Sequence, residues 1–150
     1  MSLSIHSDEH YMRQALKEAA LAFEEKEIPV GAVVVCKNRI IARAYNQVQR
    51  LNDVTAHAEM LAITAAQNYL NSKYLDECTL YVTLEPCTMC AGALYWSQID
   101  KVVYGASDEK RGYHLANPEI LHPKTNLVTG LLAEECGELV KTFFRQMRGN

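Results

Sequence analysis

The chain has 150 residues, 49% of them hydrophobic, which is the size of one domain and enough to bury a substantial core. A formal net charge of -3 excludes a strongly basic, non-specific nucleic-acid binder, although a local basic strip can still hold phosphate on a mildly acidic protein. Five cysteines, an odd number, argue against a disulfide framework.

The first three residues, Met1, Ser2 and Leu3, read as a remnant of expression, and no apolar run from Ile5 onward is long enough for a signal peptide or a membrane span. A soluble, cytoplasmic protein is the expectation. Ser7 is placed to cap a helix whose first turn carries Asp8 and Glu9, matching the positive end of the helix dipole. Met12, Leu16, Ala19 and Phe23 recur at three and four along it, and Pro29 is its expected end. Residues 30–36 then read as a buried strand, Lys37-Asn38-Arg39 as a turn and residues 40–46 as the antiparallel partner of a hairpin.

Thr55 is a candidate N-cap for a helix over residues 56–70, with His57 and Glu59 in its first turn. Residues 80–84 suit a central strand, and its carboxyl end leads into Glu85, Pro86 and Cys87 at the start of a second helix reaching Ser97. Residues 102–104 form a further strand, residues 106–126 a long irregular or partly helical stretch, and residues 127–129 a short last strand. Leu132, Cys136, Leu139, Val140, Phe143 and Met147 then make a helical stripe. Together these elements predict an α/β fold of three layers, α/β/α, with a mixed five-stranded sheet between helices, formed by residues 1–150 as a single domain.

Chemistry concentrates in two stretches, TAHAE at 55–59 and TLEPCTMCA at 83–91. Cys87 and Cys90, three apart at a helix start, can turn both sulfurs toward one ion, and His57 supplies a third ligand. Three protein ligands mark a catalytic zinc site, because structural sites are closed by a fourth. Glu59 is poorly spaced to be that fourth ligand but well placed to carry protons beside the ion. Zinc lowers the pKa of water from about 16 to roughly 7, so ion and carboxylate together make a hydrolytic centre. A C-x-x-C pair alone also fits a thioredoxin-like redox site, but that reading leaves His57 and Glu59 unexplained. Cys36, Cys78 and Cys136 read as small buried apolar residues, and His6, His10, His114 and His122 as surface or loop residues.

His57-Ala58-Glu59 and Pro86-Cys87-Thr88-Met89-Cys90 match the H-x-E and P-C-x-x-C signature of zinc-dependent nucleobase deaminases. More narrowly, the chain resembles the bacterial tRNA-specific adenosine deaminases, which make inosine at the anticodon wobble position. The resemblance runs through IPVGAVVV at 28–35, Asn46, TAHAE, LYVTLEPCTMCAGA at 80–93 and FFRQMR at 143–148.

That resemblance implies a cytidine deaminase-like fold, one Zn2+ per chain on His57, Cys87 and Cys90, and Glu59 as the catalytic proton carrier. It also implies a base pocket formed by Asn46, Ala58, Pro29, Val30, Gly31, Leu84 and Glu85, and a homodimer with its contact near residues 91–96. Lys110, Arg111, Phe144, Arg145 and Arg148 are the candidate contacts to a tRNA anticodon loop, each of which reads equally as ordinary surface.

The sequence departs from the family after Gly112. Many relatives continue there with small residues, whereas this chain has Tyr113-His114-Leu115-Ala116-Asn117 and a short LHPKTN. Ala93-Leu94-Tyr95-Trp96 is similar to guanine deaminases, so a free base or nucleoside is the alternative substrate. A zinc-stabilised binding module without catalysis is the third reading.

Overall fold

The computed structural model describes residues 5–149. Met1, Ser2 and Leu3, read above as a remnant, lie outside the described residues. The chain runs α1 (Asp8–Glu24), β1 (Gly31–Cys36), β2 (Arg39–Tyr45), α2 (Val48–Leu51), α3 (Ala58–Leu70), β3 (Cys78–Leu84), α4 (Thr88–Ser97), β4 (Lys101–Ala106), α5 (Tyr113–Ala116), β5 (Asn126–Thr129) and α6 (Ala133–Arg148). The strands form one sheet of order β2-β1-β3-β4-β5. Its β2, β1 and β3 neighbours are antiparallel, whereas β3, β4 and β5 run parallel. This is the expected mixed five-stranded sheet.

Helices cover both faces, which is why β1, the run Gly-Ala-Val-Val-Val-Cys, is buried at every position rather than alternating. One face packs Val34, Leu80, Val82 and Val102 against Ala62 and Ala66 of α3 and Ala91 and Leu94 of α4. The other packs Val33, Tyr81 and Val103 against Met12 and Ala15 of α1 and Cys136 of α6. Small side chains bring α1 down onto the sheet. A Cβ at Gly31 would sit 2.1 Å from the Ala15 carbonyl oxygen and 2.3 Å from the Ala19 nitrogen, so glycine is the residue that lets helix and strand touch there.

Three helix boundaries differ from the sequence expectation for local reasons. Helix α1 begins as predicted, with the His10 amide donating to Ser7 Oγ at 3.0 Å, but it stops at Glu24 rather than at Pro29. Lys26 adopts a left-handed φ of 63°, and the Glu27 amide turns back to the Ala22 carbonyl, so the helix is already closed before the proline. Helix α3 is capped by His57 instead of Thr55. Both the amide and the hydroxyl of Thr55 donate to Asp53 Oδ1 at 2.8 Å, a local turn that withdraws Thr55 from capping.

Helix α4 has Cys87 as its N-cap, which places Pro86 just outside the helix rather than in its first turn. Met147, read as part of the apolar stripe, is 57% exposed at the end of α6, whereas Cys136 and Phe143 are buried.

The short helix α2 was not anticipated. Its start is held by Glu27, whose buried carboxylate accepts from the Gln49 and Arg50 amides at 3.0 and 2.8 Å. A carboxylate there satisfies donors a helix start leaves open, and it fixes the chain leading into the site.

Candidate metal centre and adjoining cavities

The crossover β3-α4-β4 is parallel, so β3 delivers its carboxyl end directly to the start of α4. Helix α3 starts beside it, since His57 Nδ1 lies 3.6 Å from Cys87 Sγ and 3.5 Å from Cys90 Sγ. His57 and Cys87 are the N-caps of their helices, and neither uses its side chain as a cap, which leaves both free to ligate. The two sulfurs therefore meet one point as an N-cap and a first-turn residue, not as two residues of one helical face.

The three donor atoms lie within 4.8 Å of one another. A zinc ion held at ordinary Zn–N and Zn–S lengths in a tetrahedron sets its nitrogen and sulfur ligands about 3.6 Å apart, so the residues fit that ion. One imidazole and two thiols are also the donor set zinc prefers. Among the described residues this is the one histidine, cysteine and acid cluster arranged for a metal.

The charge pattern of the cluster is asymmetric. A hydrogen bond from Cys90, together with His57, brings the Cys87 thiol down to about 4, against the opposing effect of its burial. The Cys90 thiol is pushed up, first by its bond to Cys87 and then by burial. Two helix N-termini face this point and favour negative sulfur. Glu59 is 4% exposed and within hydrogen-bond reach of Cys90, and burial raises its carboxyl to about 7. A group that changes protonation near neutral pH is suited to carry protons both ways.

A cavity of about 510 Å³ opens over His57, Glu59 and Cys87. Asn46, Ala58, Val30, Leu84 and Glu85 line it, along with Ile28, Arg111 and Phe144. Asn46 is 7% exposed, its Nδ2 donates to the Ile28 carbonyl, and its Oδ1 has no partner. Pro29 and Gly31 are not among the lining residues, and Gly31 faces α1 on the other side of the sheet. Glu85 reaches the wall, but its carboxylate is engaged by the 107–114 segment: it accepts from the amides of Asp108 and His114 and from the His114 ring. His114 is thus an ion-pair partner rather than the plain surface residue expected from sequence.

A second cavity of about 590 Å³ adjoins the first, sharing Ile28, Leu84, Asp108, Arg111 and Phe144. Lys110, Arg111, Phe144, Arg145 and Arg148 all line it. The sequence reading missed Lys141, which lines it too; it stands one helical turn before Arg145, a spacing that marks it as the same face. Phe143 packs inward edge-on to Phe23, whereas Phe144 is 36% exposed at the junction of the cavities. On α4, Ala91 and Leu94 are in the core, whereas Tyr95 and Trp96 are exposed, Trp96 at 76%.

Residues 5–106 match the model of the cytidine and deoxycytidylate deaminase zinc-binding region. The chain is 46% identical to the tRNA-specific adenosine deaminase of Aquifex aeolicus over 147 residues, covering 95% of this chain and 97% of the relative. Among solved structures, one from work on A-to-I editing by tRNA:A34 deaminases at the wobble position superposes with a TM-score of 0.80 at 43% identity, over 87% of this chain and 98% of that one. The guanine deaminase of Nitrosomonas europaea superposes with a TM-score of 0.81 at 25% identity, over 95% and 86%. Backbone shape is shared by both kinds of enzyme, and sequence identity separates them.

Proposed function

The chain belongs to the tRNA-specific adenosine deaminases of the cytidine and deoxycytidylate deaminase zinc-binding family, and we propose that it converts adenosine to inosine at the wobble position of tRNA. The single observation carrying this reading is the continuity of the metal cavity with a cation-lined one, joined at Arg111 and Phe144. A free base needs only the first cavity. A base within an RNA strand brings phosphates and stacked neighbours that need the second.

In this reading His57, Cys87 and Cys90 hold one zinc ion, which supplies an activated water at neutral pH. Glu59 takes the proton of the attacking water, gives it to the purine ring nitrogen, and carries a proton to the departing amine. Oxygen joins the ring carbon, the carbon–nitrogen bond to the amine breaks, and ammonia leaves. Burial of Glu59 keeps bulk water from competing for those protons. Asn46 Oδ1, an acceptor without a partner, orients the nucleoside by taking a hydrogen bond from it. Ala58, Val30 and Leu84 form the apolar walls, and an unstacked anticodon base enters at a cost of a few kcal/mol.

The protein acts as one domain over residues 1–150, in the cytoplasm, as a homodimer. The exposed Tyr95 and Trp96 on α4 offer the apolar face for that contact. Light scattering that finds only monomer at working concentration removes the dimer. Incubation with total tRNA beside a panel of free bases tests the substrate: inosine at the wobble position is expected. Ammonia from guanine with tRNA unchanged establishes instead the free-base reading favoured by the guanine deaminase superposition.

A further inference from the structure

Between β4 and α5 the chain makes a turn of irregular backbone that walls both cavities through Asp108 and Arg111. One buried carboxylate holds both ends of it. Glu85 is 2% exposed; its Oε1 accepts from the Asp108 amide at 3.1 Å and its Oε2 from the His114 amide at 3.0 Å. His114 Nδ1 donates to the same two oxygens at 2.8 and 2.7 Å.

The turn closes so tightly that a Cβ at Gly112 would sit 2.4 Å from the Glu85 carboxyl carbon. It is also fixed from within, since Asp108 Oδ1 accepts from the Lys110 and Arg111 amides at 3.0 Å and the Gly112 amide donates to the Asp108 carbonyl. The Tyr113 amide donates to the Pro86 carbonyl, and Gly112 bridges to Cys87, so the turn is docked on the metal-bearing segment.

We propose that the Glu85–His114 pair is the anchor of this turn and, by fixing Arg111 over the mouth of the cavity, sets the affinity for the RNA strand rather than the rate of deamination. Both are positioning residues. A carboxylate buried this deeply requires partners, and His114 is the one charged partner the structure gives it. The kinetic half rests on the RNA reading above; the anchor itself does not.

The groups facing His114 are Glu85, Glu109, whose carboxylate is 3.7 Å from Nε2, and Asp108, all acidic. The hydrogen bond to Glu85, followed by the charges of Glu85, Glu109 and Asp108, holds the imidazole protonated above its ordinary range. The anchor is therefore complete below about 6.5, the unperturbed histidine value, and is lost as pH rises through the higher folded value.

The test compares wild type with His114→Ala and His114→Asn, the second keeping an N–H donor near the position of Nδ1. Amide hydrogen exchange over residues 107–114 is expected to quicken about tenfold in His114→Ala, and KM for an anticodon stem-loop RNA to rise about tenfold with kcat within about twofold. His114→Asn is expected to recover most of the affinity, and the wild-type rise of KM with pH is expected to disappear in it. Unchanged exchange in His114→Ala, or a loss of kcat at constant KM, overturns the proposal. If wild type leaves the RNA unaltered, the RNA reading fails and the exchange measurement still decides the anchor.

Discussion

Asn46 and Ile28 are joined by one hydrogen bond, Nδ2 to the carbonyl at 3.2 Å, and that bond holds the unpaired Asn46 Oδ1 in the wall of the metal cavity. A buried acceptor without a donor costs about 1 to 3 kcal/mol, which a substrate donor recovers on binding. Asn46→Ala is expected to lower kcat/KM about tenfold to a hundredfold while changing the melting temperature little, because loss of the Nδ2 bond to Ile28 is offset by removal of the buried, unpaired Oδ1. Steady-state kinetics and thermal melting of one preparation check both halves.

Glu59→Ala removes the proposed proton carrier and leaves His57, Cys87 and Cys90 in place. Metal content by elemental analysis is expected to stay at one zinc per chain while activity falls by about a hundredfold or more. Cys90→Ala is expected to lose metal and activity together. Were Glu59→Ala to lose its zinc, the carboxylate would be holding the site rather than working beside it.

The charged groups of the second cavity give a salt signature. Each phosphate contact on a single strand contributes about 0.7 to the slope of log affinity against log salt. Arg145→Ala and Lys141→Ala are each expected to lower the slope by about that amount and to weaken binding of an anticodon stem-loop, leaving kcat at saturating RNA near wild type. A titration of fluorescent RNA over a range of salt measures it.

Asp8 links α1 to the sheet: its carboxylate accepts from Tyr81 at 2.6 Å and pairs with Lys101 at 2.9 Å. Burial pushes this carboxyl up, but the hydrogen bonds from Tyr81 and Lys101 outweigh it and hold the group below its ordinary value. Stability from a depressed carboxyl is present above the unfolded value of about 3.9 and is lost as pH falls through the folded one. Lys101→Met is therefore expected to move the acid unfolding midpoint to higher pH, as followed by circular dichroism.

Gly31→Ala tests the close approach of α1 to β1. The added methyl meets backbone atoms, which do not yield as a side-chain tip would, so a loss of about 1 to 3 kcal/mol or more is expected. Denaturant unfolding at constant metal loading measures it.

The ligands His57, Cys87 and Cys90 were legible because each motif is short and the chemistry demands its residue types. Their convergence needed no long-range information beyond two helix starts. Glu27 and the Glu85–His114 pair were not legible as supports of the site. Each acts through a partner far away in sequence, and an isolated acid or histidine looks like surface. Thr55 misled for the opposite reason: it is a good N-cap type, but Asp53 two residues earlier offers it a nearer bond. The buried places of β1 and β3 followed from patterning, because a strand apolar at nearly every position has to be covered on both faces, whereas the order of the five strands was not legible. The four-residue α2 left no periodicity to read.

His57 and Cys87 stand on separate helices thirty positions apart along the chain. An ion gripping both ties off the intervening polypeptide much as a covalent staple would, restricting the unfolded chain as well as equipping the folded one. Chelation should consequently loosen the start of α3 from the start of α4. The same ion would thus equip the site and fasten two helix starts to each other.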